Sequence, residues 1–485
     1  VIFHRRCISI PSWFPACALA LALGGCVTVG PDYQRPEVDL GIRFKEAEGW
    51  KPATPADDQA KGAWWRAFDD PLLDRLLDQV ELSNQNVAQY AAQYRQALAL
   101  TDAARADRYP SATLEGSGTR SGGGGGASAG GSGSTASRSD SNDSVSAELS
   151  LSWELDLWGK LRRGVEEDRA SAQSSAAELA NATLSAQSSL AQDYFSLRVL
   201  DQRIALYDQT IAAYQRYLQV VSHQYDAGQT SRADVAQAQT QVDGAQASRL
   251  DLVWRRAQYE HAIAILIGRP PAEFALARID GYTPNLPSIP VGMPSALLER
   301  RPDIAAAERD MASANAAVGV AIAGYYPDLT LSASGAYQDS GLSKLFSISN
   351  RFWSLGPSLS QSLFDGGATA AEVAQARAGY DAQVASYRQT VLDALGEVED
   401  SLVELRTLDD ELAARRRAAQ SAEESARVTY NQYREGMIDY LDVATTQQTS
   451  LEQRQSVLEL VNDQLVASVQ LVVALGGDWS VSEIP

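Results

Sequence analysis

Across 485 residues the chain holds only three His and three Cys. His4, Cys7 and Cys17 fall near its start, so the remainder has His223, His261 and Cys26. That set cannot assemble a Cys/His zinc site or a disulfide framework. His-Glu-x-x-His does not occur, and the Gly-x-Ser-x-Gly match from Gly126 to Gly130 falls inside a Gly/Ser-rich stretch without the flanking strand and helix pattern that a nucleophile turn needs; His223 and His261 lie within helical patterns, where surface or packing roles account for them. No catalytic residue, metal site or cofactor is expected, and the chain does not read as an enzyme. With 61 Asp+Glu against 41 Lys+Arg it also repels nucleic acid, a polyanion.

One thiol is placed for covalent chemistry. His4, Arg5 and Arg6 precede an apolar stretch over residues 7–23 that ends in Leu23-Gly24-Gly25-Cys26. A basic start, an apolar core and small residues at the end predict an export signal over 1–25. The Leu-x-Gly-Cys ending resembles the lipobox, in which cleavage precedes the Cys and its thiol is acylated. Cys26 is the candidate lipidation site. Val27 follows it, not the Asp that tends to hold lipoproteins in the inner membrane.

Polar candidates recur at two Tyr-x-x-Gly turns, Tyr225 to Gly228 and Tyr433 to Gly436. Asp234-Val235 follows the first and Asp442-Val443 the second, at a constant offset of 208 (433 − 225). The same offset pairs Gln239 with Gln447 and Gly268 with Gly476, and upstream Tyr109-Pro110 matches Tyr326-Pro327. This is tandem duplication of a large unit. Gly228 and Gly436 suit helix C-terminal turns that need φ > 0. Ser231-x-x-Asp234 reads as a capping box, and Asp439 could cap similarly, with Asp442 near the positive end of a helix dipole.

Long helices must carry these turns. No Pro lies between Pro110 and Pro270, or between Pro357 and Pro485; helix interiors exclude Pro. In the first gap Leu190, Tyr194, Leu197, Leu200, Ile204, Tyr207, Ile211, Tyr214, Leu218, Val221 and Tyr225 advance by 3.5 residues per step, a coiled-coil seam. A ladder from Tyr380 to Leu412 advances by about 3.6 residues per step in the second gap. A helix over 160–225 would be about 100 Å long.

Between the helices stand alternating segments. From Val145 to Leu157 every odd residue is apolar and every even one is Ser, Glu or Asp. Residues 353–363 alternate likewise, with weaker partners at 112–119 and 329–337. These are amphipathic strands of about the length that crosses an outer membrane. Four strands cannot close a barrel, and open edges are not tolerated in lipid. A membrane reading therefore demands several copies.

These features resemble the TolC-like outer-membrane efflux factors, in particular their lipoprotein branch of NodT/OprM type. Cys26-Val27-Thr28-Val29-Gly30-Pro31-Asp32-Tyr33 resembles the lipidated start, and Trp64-Trp65, Phe68 and Asp70-Pro71 the entry to the first long helix. Leu298 to Ile304 with Glu308 resembles the signature of the second half. The resemblance implies a mainly α fold with a small β part and two tandem structural repeats. In it a long-helix α-barrel continues into a transmembrane β-barrel, four strands per protomer and twelve in a homotrimer. Expected divisions are 1–25 signal peptide and 26–70 lipidated segment. Residues 71–110, 158–326 and 366–475 would form the α-barrel, 111–157 and 327–365 the membrane hairpins, and 476–485 a tail. Implied partners are a periplasmic adaptor, an inner-membrane pump of the resistance–nodulation–division class and outer-membrane lipid. The implied role is a passive conduit for drugs or detergents.

By the same resemblance the turns lie at periplasmic tips, with Gly228 and Gly436 as adaptor contacts. Asp442 would form an acidic ring at the aperture, Leu441 a constriction, and Tyr433 with Asp234 a link that holds it shut. Ile438 stands where some members have an Arg completing that latch, and Thr445 where many have a second Asp. The expected closed state therefore rests on fewer polar links and more on Leu441. Type I protein secretion is an alternative use of such a channel. A coiled-coil structural lipoprotein would explain Cys26 and the heptads but not the matched strands.

Overall fold

A computed structural model describes residues 28–36, 43–47, 63–122, 141–287, 289, 300–477 and 479. The elements run α1 (Pro71–Ser83), α2 (Gln85–Ala106), β1 (Ser111–Gly122), β2 (Ser141–Leu155), α3 (Lys160–Asp226) and α4 (Arg232–Leu266). The second half runs α5 (Pro302–Ala323), β3 (Asp328–Asp339), β4 (Arg351–Ser360), α6 (Ala368–Arg434) and α7 (Tyr440–Ala474). The duplication holds residue by residue. Helices α3 and α6 each have 67 residues and α4 and α7 each 35, with bounds 208 apart (368 − 160). Both α2 and α5 have 22 residues, and β1 and β3 both have 12.

The chain divides into two compact units. One comprises Val1–Arg35, Gln96–Ala172 and Arg309–Val384, and the other Pro36–Arg95, Gln173–Glu308 and Ala385–Pro485.

The first unit holds a four-stranded antiparallel sheet in the order β1-β2-β3-β4. Its register aligns Leu114, Leu149, Gly335 and Trp353 across the strands, and Ala112, Leu151, Ala333 and Leu355 beside them. One face is thus apolar, and Leu114, Leu149, Trp353, Leu355 and Leu359 on it are exposed. The row between these two is Thr113, Ser150, Ser334 and Ser354. Pro357, on the outermost strand β4, stands opposite Leu331 of β3.

Strand β2 ends two residues before the alternation does. Asp156 turns back there to accept from the N–H groups of Leu161 and Arg162 at 3.1 and 3.0 Å, which caps α3. Leu363 likewise lies beyond β4 and is exposed.

Residues Thr28 to Asp32 dock on the first unit. Val29 N–H donates to Trp158 O at 2.9 Å, and Asn315 Nδ2 donates to Pro31 O at 3.1 Å. Buried Arg163 donates to Val29 O and Gly30 O at 3.3 Å and pairs with Asp32 at 2.8 Å.

The second unit is helical. Its core joins Trp64, Phe68, Leu73, Leu77, Tyr194, Phe195, Ile263, Leu465 and Val469. Asp70 caps α1, accepting from Leu72 N–H at 3.0 Å, with Pro71 at the first helical position. The apolar ladder is buried at Leu190, Tyr194, Leu197, Leu200, Ile204, Tyr214 and Val221 and becomes exposed at Tyr225. By length and composition α7 is apolar enough to cross a membrane. It nevertheless carries Glu459 and Asp463 in its C-terminal half and buries Leu465, Val469 and Leu471 in the core.

The far ends of α4 and α7 are held by equivalent joints. Asn84 Nδ2 donates to Leu266 O at 2.8 Å, and Arg301 Nη1, in the signature of the second half, donates to Ala474 O at 3.1 Å. Beyond these carbonyls Gly268 and Gly476 turn at φ 69° and 94°. A Cβ there would sit 2.1 Å from Ser83 O and 2.2 Å from Arg300 O, so only Gly allows the approach.

Candidate functional site

The two Tyr-x-x-Gly turns close the α3–α4 and α6–α7 hairpins with the same geometry. Gly228 and Gly436 have φ 71° and 72°, and each donates its N–H to the Tyr three residues back at 2.9 Å. The next residue's N–H closes a wider turn, Gln229 to Gln224 O at 2.8 Å and Met437 to Gln432 O at 3.0 Å. This is a Schellman-type stop. Both glycines are exposed, with nothing within 4 Å of where a Cβ would stand.

After the turns the repeats diverge. Ser231 caps α4 and completes the expected box: its Oγ accepts from Asp234 N–H at 3.2 Å, and its own N–H donates to Asp234 Oδ2 at 3.1 Å. Thr230 Oγ1 adds a bond of 2.6 Å to the same carboxylate. These donors, Thr230 foremost, hold the Asp234 carboxyl below the usual carboxylate range.

In the second repeat Ile438 and Asp439 replace Thr230 and Ser231. Asp439 stands at the N-cap of α7, but its side chain makes no capping bond, contrary to the expectation. The Asp442 carboxylate is consequently left exposed in the first turn, with no hydrogen bond or ion pair among the described residues. Leu441 beside it is 61% exposed. Thr445 is exposed one turn on, its Oγ1 donating to Leu441 O at 2.9 Å.

Tyr433 is 8% exposed and lies in an apolar cluster with Val221, Ala238, Tyr440, Val443 and Ala444, against which Ile438 packs. The rings of Tyr433 and Tyr440 meet edge-on at 5.6 Å, and those of Tyr217 and Tyr430 lie 4.6 Å apart. Tyr433 and Asp234 share this end of the unit without a bond between them: the Tyr433 hydroxyl donates to Gln224 Oε1. Burial raises the Tyr433 pKa, and the nearby Asp234 charge adds to that. Gln224 and Gln241 had no signal in the sequence, because Gln is an ordinary residue of a helix surface and only the packing of one hairpin on the other singles these two out.

Cys26 lies outside the described residues, two positions before Thr28. Among the described residues no group of His, Cys, Asp or Glu could hold a metal ion.

The chain matches the family described as outer membrane efflux protein over residues 76–269 and 293–477. It is 31% identical to the solvent efflux pump outer membrane protein SrpC of Pseudomonas putida, covering 96% of this chain and 97% of that protein. It is 27% identical to the cation efflux system protein CusC of Escherichia coli O6:H1, covering 96% and 98%. The solved structure of the outer-membrane channel OprN superposes with a TM-score of 0.82 at 29% identity, covering 93% of this chain and 99% of that one. That of CusC superposes at 0.81 and 25%, covering 93% and 100%.

Proposed function

Since the chain belongs to the outer membrane efflux protein family, it is an outer-membrane efflux channel rather than an enzyme, and we propose how its residues serve that role. Three copies pool their sheets into one twelve-stranded barrel, and the helical hairpins extend the conduit into the periplasm. The observation that carries this is the sheet: four strands with an exposed apolar face and, among the described residues, β1 and β4 as its two edges. A lipid-facing sheet with unpaired edges is untenable in a bilayer, and closure removes both edges.

The domain divisions follow the same reading, with residues 111–157 and 327–365 in the membrane and residues 71–110, 158–326 and 366–475 periplasmic. Cys26 carries the lipid anchor, and Val29 to Asp32, a few residues on, dock beside the start of α3 through Arg163. Gly228 and Gly436 present open backbone to a periplasmic adaptor, which couples the channel to an inner-membrane pump. Leu441 and Asp442 line the aperture, and Tyr433 and Asp234 belong to the machinery that closes it. Relatives bear names for solvent and cation efflux; small molecules delivered by the pump are the cargo class for this chain.

The test is purified, lipidated protein in planar bilayers. The expected result is an ion-conducting species that runs as three copies on an unheated denaturing gel and as one after boiling. A monomer that passes no current would overturn the reading.

A further inference from the structure

The closed state of this aperture is expected to need polar links between the α3–α4 and α6–α7 hairpins, yet the Arg that completes an ionic latch in some family members is Ile438 here. The geometry points to a charge-free latch, in which Gln241 and Gln224 clamp Tyr440 and Tyr433 and hold the two hairpins together. This inference rests on the reading of the tips as a gate.

Gln241 uses both ends of its amide across the gap. Its Oε1 accepts from the Tyr440 hydroxyl at 2.8 Å, and its Nε2 donates to Ala444 O at 3.0 Å. The carbonyl can only accept, which fixes the orientation of the amide. Tyr433 donates to Gln224 a short way off, and Gln447 Nε2 reaches the Tyr217 hydroxyl at 3.4 Å. Every one of these bonds crosses from one hairpin to the other, and none involves a charged group. Among the described residues the ion pair joining the two hairpins is Arg203–Glu459 at 2.9 Å, about 27 Å along α7 from Leu441 at 1.5 Å per residue.

The hairpins have little else to hold them just beyond the latch. A groove of about 590 Å³ opens between α4 and α7, lined by Thr240, Gly244, Ser248, Thr445 and Thr449 with Tyr214 at its side. Leu451 and Ala245 supply the apolar contact among mostly small and hydroxyl-bearing residues there, so the amide bonds and the aromatic cluster carry much of the closure. Ile438 fits this arrangement, since it adds packing to that cluster where a cation would bring charge.

A neutral latch has properties an ionic one lacks. Salt screens exposed ion pairs but leaves neutral bonds nearly unchanged. The titratable groups around Tyr440 are Tyr433, Tyr214, Tyr217 and Asp234, and Glu452 lines the groove. Burial keeps these tyrosines protonated at neutral pH.

The experiment measures open probability in planar bilayers for Gln241→Ala, Gln241→Glu, Tyr440→Phe and Leu441→Ala, each confirmed as an assembled oligomer. Loss of both Gln241 bonds should shift the open–closed balance toward open by about 30-fold per copy, the worth of two neutral hydrogen bonds. Tyr440→Phe keeps the ring in its cluster and should shift it by about 5-fold. Gln241→Glu should leak at pH 8 and close again below about pH 5, against wild type at the same pH values. Only the protonated carboxyl can both donate to Ala444 O and accept from Tyr440. Raising the salt from 0.1 to 1 M, which shortens the Debye length from about 10 to about 3 Å, should not open the wild-type channel. If Leu441→Ala leaks while the Gln241 and Tyr440 variants stay shut, or if salt alone opens the wild type, the latch is refuted and the gate stands. If no variant leaks, the gate reading itself fails.

Discussion

Four glycines with the same backbone sign should respond to alanine in two distinct ways. Gly228 and Gly436 at the turns and Gly268 and Gly476 at the joints all have φ between 69° and 94°. An L-residue in that region costs about 1–2 kcal/mol, partly offset by about 0.4–1 kcal/mol from a stiffer unfolded chain. At Gly228 and Gly436 nothing else opposes the methyl group, so each alanine should cost about 1 kcal/mol.

At Gly268 and Gly476 the methyl would lie 2.1 and 2.2 Å from a backbone oxygen, and the joint must move by more than an ångström. Such overpacking costs about 1–3 kcal/mol. The movement also disturbs Asn84 Nδ2–Leu266 O at 2.8 Å and Ser83 Oγ–Ile267 O at 2.8 Å, or Arg301 Nη1–Ala474 O at 3.1 Å. Each of those bonds is worth about 1 kcal/mol. Gly268→Ala and Gly476→Ala should therefore lose about 2–5 kcal/mol. Urea unfolding of detergent-solubilised protein, followed by the helical circular-dichroism signal, reads the difference. Equal losses at all four positions would refute the assignment of turn glycines and joint glycines to different constraints.

Leu441→Ala should raise conductance and vancomycin sensitivity while leaving stability within about 0.5 kcal/mol, because the side chain is mostly exposed; an unchanged leak would remove Leu441 from the aperture. Asp442→Asn should abolish block by multivalent cations, whereas Asp234→Asn should keep the block and cost about 1 kcal/mol by weakening the three bonds that its carboxylate accepts in the capping box; bilayer recordings with added trivalent cation separate the two. Burial pushes the Asp193 carboxyl on α3 up to about 6. The folded state then binds that proton more tightly than the unfolded chain, so its penalty grows as pH rises from about 4 to 6 and is complete above it. Asp193→Asn should stabilise by about 1–2 kcal/mol at pH 7, solvent access trimming the full shift, and by nothing below about pH 4. Melting curves at the two pH values check it.

Much of this architecture could be read without coordinates, for a physical reason. Helix and strand periodicities are local, and duplication writes them twice: the 208-residue offset between Tyr225 and Tyr433 reappears in the bounds of four helices. Alternation over residues 145–157 likewise anticipated the apolar face of β2, and Ser231-x-x-Asp234 its capping box. Errors fell where one element yields to a contact made by the next. Strand β2 stops at Leu155 because Asp156 is used to cap α3, and Asp439 occupies a cap position without bonding.

What the amino-acid order determined by itself is the set of helices and strands, their greasy and wet faces, and the impossibility of four such strands sealing a bilayer alone. Tertiary structure decided the partners. Tyr433 bonds Gln224, Gln241 spans to Tyr440 and Ala444, and Asp442 is left unbonded where its counterpart Asp234 is held by three donor groups. Such pairings depend on how two 67-residue helices and their return strands of helix lie side by side, a register set by packing over the whole hairpin and by no short stretch of sequence.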